Sequence, residues 1–390
     1  MSENNNVLKI SLHKALKSTE KSLQNVNEPS IIFNLNYSKE IRQEKRENLL
    51  TRIENIMIEI HEAKMNGKNF VLEIRDRSRW NNCTFNNIVL LKKDATVRTI
   101  DSSNLKSQTF TNIVFLLSKI YKLLQIGGKC TRRELYYQNI EIIKSQRIID
   151  STINDICTIL EVLPWELGIM GTSKGLIAGN LSLKLLDGSF IDCHNTRNGV
   201  IVPQDIQDIQ DINSDAKFIL IVEKDAIFQK LLDDKILNNL GPLILITGKG
   251  FPDINTRFLL KRLSLKLRIP IFAMVDADPY GIEIMFTYRF GSLKMSHEGI
   301  SLAVPTIRWL GLLPKDIDTF IIPKLPLLPT DCNKLTDMLT RPYITNEIRE
   351  QINILINQKC KTEIEALTSV ANYYITDTYL PHKICAQDII

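Results

Sequence analysis

The sequence predicts an α/β protein with a helical N-terminal extension, a winged helix-turn-helix domain and then a parallel-sheet α/β domain. Three observations lead there. Residues 1–100 carry helical spacing but little that marks an independent domain. Residues 112–162 read as three helices with short linkers, followed by short strand-like runs as far as 203. From residue 218 onward, apolar strand-like runs alternate with helices, as expected of parallel strands joined by helical crossovers. The boundaries implied are 1–100, 101–205 and 216–390.

In chain order, residues 11–26 and 39–68 have helix-like spacing with mixed charges. In the second, Leu49, Leu50, Ile53, Ile56, Met57 and Ile60 fall on one apolar face. Such a face needs a surface to bury it, either this chain's own core or a partner. A partner is the expectation carried forward. Residues 70–74 and 88–91 read as short strands. Helices are expected at 112–125, 131–144 and 147–162, with Gly127-Gly128 turning the chain after the first. Residues 179–186, 189–193 and 199–203 are expected to form the wing, and the polar 204–215 a linker. Strands at 218–223, 243–247 and 270–276 then alternate with helices at 255–267 and 279–290, and the tail 331–380 is mainly helical.

With 390 residues the chain is long for one core, and 44% hydrophobic with 24% charged residues excludes a disordered chain. The seven cysteines are odd in number and widely spaced, without a CxxC pair, so reduced thiols are expected rather than a disulfide framework or a zinc site. No apolar run is long enough to span a bilayer, and residues 1–10 lack the core of a signal peptide. The Gly248-Lys249-Gly250 turn lets backbone approach a phosphate but lacks P-loop spacing, so ATP hydrolysis by this chain is not expected.

Chemistry concentrates in two places. Glu223 ends the apolar run FILIVE, and Asp276 and Asp278 end IFAMVDAD. Functional groups gather at the carboxyl ends of strands in open α/β sheets. If the two strands are neighbours, three carboxylates converge, and such crowding needs a cation. Oxygen-only ligation points to Mg²⁺, with Mn²⁺ as a substitute, over zinc. Solvated acids at strand ends remain the alternative.

The second place is residues 118–147, where Lys119, Lys122, Lys129, Arg132, Arg133, Lys144 and Arg147 face only Glu134 and Glu141. That excess equals the net +5 of the whole chain. A basic helix-turn-helix is the electrostatic footprint of phosphate binding, with Lys129 and Arg132 as candidate contacts. Thr131 and Glu134 fit a capping box. Tyr136 and Tyr137 then lie about 100° apart on the helix. Tyr136 shares a face with Ile140 and Ile143 and should pack inward, leaving Tyr137 outward beside Arg133. A tyrosine hydroxyl, with an ordinary pKa of about 10, needs a nearby cation or base to act as a nucleophile.

The stretches TRRELYY, TSKGLIAGN, FILIVEKDAIFQKLLDD, ITGKGFPDINTR, VDADPYGIEIM and IRWLGLLP, in that order over roughly residues 112–314, resemble the topoisomerase VI A-subunit family. The likeness is greatest to its eukaryotic members that make the double-strand breaks initiating meiotic recombination. The glutamate and DxD look like those of a Toprim domain. The resemblance implies that Tyr137 attacks a DNA phosphate and stays linked to the 5′ end, with Arg133 as its companion and magnesium on Glu223, Asp276 and Asp278. It places Lys174 and Phe251 near DNA, beside Lys249. It also implies double-stranded DNA as substrate, a homodimer at cleavage, a partner of the B-subunit type, and the nucleus as location. The family has Asp where Glu134 stands, a change that keeps charge and capping. Strand passage with an ATPase partner, or a hydrolytic Toprim nuclease lacking a tyrosine step, are the rival readings.

Overall fold

The computed structural model describes residues 2–23, 39–103, 108–194 and 196–390. Its centre is a six-stranded sheet in the order Val200–Ile201, Leu176–Gly179, Leu243–Thr247, Phe218–Val222, Ile271–Met274, Ile307–Gly311. Phe218–Val222 and Leu243–Thr247 are buried at every position. Continuous apolar runs of this kind suit strands covered on both faces. Phe218–Val222 runs parallel to both its neighbours, and Ile271–Met274 runs parallel to Ile307–Gly311. The expected helices appear at Ile254–Leu267 and Pro279–Arg289. The carboxyl ends of Phe218–Val222 and Ile271–Met274 therefore lie side by side.

The segments expected to form a wing lie elsewhere. Leu176–Gly179 adds antiparallel to Leu243–Thr247, and Val200–Ile201 adds to it in turn. Ser182–Leu185 and Phe190–Asp192 form a second sheet with Ile209–Asn213, inside the stretch expected to be a linker. The expected division at 205 thus cuts through paired strands. The reason is long-range pairing: Ile177 and Ala178 are fully buried against the large sheet, a partnership that short-range periodicity does not reveal. Gly179 permits it, because its φ is +105° and a Cβ there would lie 2.1 Å from the Leu243 carbonyl oxygen.

Ahead of the sheet lies a helical unit of Thr109–Gln125, Arg132–Tyr137 and Gln146–Leu160. Ile113, Leu116, Ile149, Ile153 and Ile156 are sealed in its core. The middle helix ends at Tyr137, well short of the expected 144, and turns follow. Ile140 is consequently exposed rather than inward, while Ile143 is buried.

The helix Lys39–Met65 contributes to the same core. Leu49 is buried, Ile53 is 1% exposed, and Leu50, Ile56 and Met57 pack at the margin. Tyr121 on Thr109–Gln125 donates to Glu54. The expectation that this face docks a partner is thereby corrected at Leu49 and Ile53. The chain's own helix covers them, since an apolar stripe is most readily buried by the nearest complementary stripe. Ile53→Ala should cost the isolated chain about 2–4 kcal/mol in a denaturant titration, as expected for a truncated core isoleucine. The helix Ser2–Leu23 buries Leu12, Ala15 and Leu16, and Thr19 donates to Gln387 at 3.1 Å, tying it to the C-terminal end. The part of the expected first helix beyond Leu23 lies outside the described residues. The seven cysteines are all free, and no described helix is long and apolar enough to cross a membrane.

Candidate functional site

Glu223 directly follows its strand, and its backbone N–H donates to the Met274 carbonyl of the neighbouring one at 3.1 Å. Its Oε2 accepts from the Asp276 backbone N–H at 2.9 Å. Both residues are buried. Asp278 is the N-cap of Pro279–Arg289, where its Oδ1 accepts from Tyr280 N at 2.8 Å and Gly281 N at 2.6 Å. Gly281 keeps the group together. A Cβ there would stand 2.4 Å from the Asp276 carbonyl oxygen and 2.9 Å from Glu223 Oε2.

Burial hinders the ionisation of all three carboxylates, and repulsion adds to it at Glu223 and Asp276. Burial, and then the charge of Asp276, push Glu223 up to about 8. Burial pushes Asp276 up to about 6, against the hydrogen bond from Ile364 N–H and the pull of Lys224. Asp278 is also raised, by burial. Crowded acids in this condition, without His or Cys among them, suit a hard divalent cation whose charge favours the ionised forms.

A fourth component comes from the C-terminal tail. Ala277 and Thr362 exchange backbone hydrogen bonds, and Ile364 N–H donates to Asp276 Oδ1 at 2.9 Å. This brings Glu363 and Glu365 to the rim, where their carboxylate oxygens and that of Asp276 lie within 4.8 Å of one another. The Lys224 ammonium is 2.9 Å from each of the three. Burial works against the charge on Lys224, but Glu365, Asp276 and Glu363 hold its pKa above the ordinary value. Sequence reasoning missed Lys224, Glu363 and Glu365. The two glutamates flanking Ile364 were the available signal, but nothing local tells that Thr362 pairs with Ala277.

On the helical unit, the capping box forms as expected: Thr131 Oγ1 accepts from Glu134 N at 3.0 Å, and the Glu134 carboxylate accepts from Thr131 N at 3.2 Å. Leu135 is buried, Tyr136 half-buried and Tyr137 58% exposed. The Arg133 guanidinium carbon stands 5.9 Å from the centre of the Tyr137 ring. Among the described residues, no hydrogen bond or ion pair links Tyr137 to Glu223, Asp276 or Asp278 of the same chain.

Lys174, Lys249 and Phe251 gather around the loop after Leu243–Thr247. The Lys174 ammonium donates to the Lys249 carbonyl at 3.2 Å, and its backbone N–H donates to Asp253 at 3.1 Å. The Lys249 ammonium is 3.1 Å from Asp225, and Phe251 is exposed. Gly250 N–H and the Thr247 hydroxyl both donate to the Glu223 carbonyl, at 2.8 and 3.1 Å. The loop is therefore fastened to a metal-ligand candidate. The other two basic candidates are already paired with side chains of this chain, Lys129 in an exposed ion pair. Lys129 pairs with Asp205 at 2.6 Å. Arg132 turns onto Gln146–Leu160, bonding Asn154 at 2.9 Å and Asp150 at 3.4 Å.

Residues 218–384 match the model of the Toprim domain shared by Spo11 and the A chain of topoisomerase 6, and residues 108–169 match that for type IIB DNA topoisomerase. The meiotic recombination protein SPO11 of Homo sapiens is 44% identical over 344 residues, covering 86% of this chain and 87% of the human protein. The chain belongs to the topoisomerase VI A-subunit/Spo11 family. The DNA topoisomerase 6 A-subunit of Arabidopsis thaliana is 32% identical over 347 residues, 87% of this chain and 80% of that protein. Meiotic recombination protein W68 of Drosophila melanogaster is 36% identical over 277 residues, 71% of this chain and 82% of that protein. Membership makes this chain a topoisomerase-like, DNA-cleaving transesterase of the kind that initiates meiotic recombination, and its parallel-sheet domain is a Toprim domain, a type that generally binds divalent metal.

Proposed function

We propose that this family member cuts double-stranded DNA through Tyr137. The observation that carries the assignment is the placing of Tyr137. Of the tyrosine pair, it alone projects into solvent, with Arg133 against its ring, inside the stretch that matches the type IIB topoisomerase model. The phenolic oxygen attacks the phosphorus in line. A Tyr–O–P bond forms, the P–O3′ bond breaks, the phenolic proton leaves to solvent or a base, and the 3′ oxygen gains a proton. The phosphodiester bond is exchanged rather than hydrolysed, so no ATP is consumed in cleavage. Arg133 lies where it can balance charge on the phenolate and grip the phosphate.

Glu223, Asp276 and Asp278 would hold Mg²⁺, or Mn²⁺ in its place, which offsets charge on the phosphate oxygens. The helical unit is read as a helix-turn-helix DNA-binding domain. The reading includes a homodimer in which one chain's tyrosine meets the other's carboxylates. Two such sites cut both strands. A partner of the B-subunit type and a nuclear location complete the reading. Identity to the human meiotic protein exceeds that to the plant topoisomerase chain, which favours break formation over strand passage. The deciding experiment is recovery of protein–DNA adducts after denaturation. A 5′-linked phosphotyrosine at Tyr137 is expected, whereas cut DNA with free ends would establish a hydrolytic nuclease instead.

The basic residues separate in the same assay system. DNA affinity should fall steeply with salt as counterions are released. Lys174→Ala or Lys249→Ala should each lower the slope of log K against log salt by about one. Arg132→Ala should change the slope less, because its guanidinium is 22% exposed and lies against Asp150 and Asn154, whereas the Lys249 side chain is 35% exposed and Lys174 is exposed. A slope that responds to Arg132 and ignores Lys174 would move the DNA track off the loop.

A further inference from the structure

We propose that Lys224 is a positioning residue for the metal site. Its ammonium is the chain's own counter-ion for Asp276, which yields Asp276 to an incoming divalent ion and withdraws onto Glu363 and Glu365. The inference rests on the reading of Asp276 as a metal ligand.

Both oxygens of Asp276 are already in use. Oδ1 accepts from Ile364 N–H at 2.9 Å, and Oδ2 lies 2.9 Å from the Lys224 ammonium. A divalent ion on Oδ2 would share one oxygen with an ammonium, and the two cations would repel at close range where screening is weak. Lys224 therefore has to move for Asp276 to serve the metal as a fully charged ligand. A place for it exists. Glu363 and Glu365 each hold the ammonium at 2.9 Å, and both reach solvent, with side chains 52% and 38% exposed. A flexible four-carbon stem lets the ammonium slide from the buried acid toward the rim without backbone motion. Until then, Lys224 balances a carboxylate that is 3% exposed and would otherwise be left buried beside two other acids. Glu363 and Glu365 thus tune metal affinity through Lys224 rather than by ligating metal themselves.

The test measures Mn²⁺ binding to the full chain by calorimetry, without DNA or turnover. Lys224→Met should bind Mn²⁺ on the order of tenfold more tightly, since a competing charge is gone. Glu363→Gln with Glu365→Gln should bind on the order of tenfold more weakly, because Lys224 is then left with Asp276 alone. In the Lys224→Met background the same two Gln substitutions should change affinity less than about threefold, which is the coupling a shared intermediary requires. Unchanged or weaker binding by Lys224→Met overturns the proposal, as does an undiminished Gln effect in that background. If Lys224→Met does not fold, the Gln pair decides: it alters half-exposed side chains only, and unchanged affinity there refutes the role. Asp278→Asn separates the underlying reading. If it binds Mn²⁺ as the unaltered chain does, or if the unaltered chain binds none, the metal assignment falls and this inference with it.

Discussion

Tyr137→Phe is expected to abolish the covalent protein–DNA adduct, with loss of at least about a thousandfold in cleavage, because the nucleophilic atom itself is removed. Stability should stay within about 0.5 kcal/mol of the parent, as for an exposed side chain away from the core. The ring of Tyr137 is 58% exposed, and no hydrogen bond to its hydroxyl is lost among the described residues. DNA binding should persist, since Arg133 and the loop carrying Lys249 and Phe251 are untouched. The companion change Tyr136→Phe is the control. Its ring packs at the margin of the helical core, and the substitution keeps that packing, so cleavage should continue at least in part. Adduct formation and thermal melting, measured on the same preparations, separate a lost nucleophile from a lost fold. Cleavage surviving in Tyr137→Phe but not in Tyr136→Phe would reverse the assignment.

The parts of this molecule legible in its sequence are those governed by short-range rules. Glu223 and Asp276–Asp278 were readable because each ends an apolar run too continuous for anything but a buried strand. The capping box at Thr131 and Glu134 fixed the start of the tyrosine helix, and with it which tyrosine points outward. Its end was not readable, because the apolar spacing of Ile140 and Ile143 continues a helical pattern that the chain abandons at Tyr137. The strands after residue 175 were seen, but not their partners. Leu176–Gly179 pairs with a strand some seventy positions later, and periodicity carries no information about register at that distance. The same limit hid Glu363 and Glu365, which reach the site only because Thr362 pairs with Ala277. Charge counting marked residues 118–147 as a candidate for phosphate binding. It did not tell an arginine committed to Asp150 and Asn154 from a lysine at a loop fastened to Glu223.

Asp278→Asn is the second change expected to have a large effect, and the cleaner of the two aspartate substitutions. Asp276 is unsuitable as a first test, since its oxygens also accept from Ile364 N–H and hold Lys224 in a buried place, so folding and metal binding would suffer together. Asp278 uses only Oδ1 structurally, to cap Pro279–Arg289 through Tyr280 and Gly281. Asparagine caps helices about as well as aspartate, so its amide oxygen can keep both bonds and stability should change by less than about 0.5 kcal/mol. Its amide nitrogen then replaces the second oxygen, removing a negative charge and putting a donor where a cation needs an acceptor. Groups that merely support a metal ligand cost about 10–100-fold when removed, so loss of a direct ligand should lower Mg²⁺-dependent cleavage by on the order of 100-fold or more. Asp278→Ala should lose cleavage similarly but also about 1 kcal/mol of stability, the ordinary value of an N-cap. Cleavage that proceeds unimpaired in Asp278→Asn, or in the unaltered chain with chelator present, would show that these carboxylates do not serve through a metal ion.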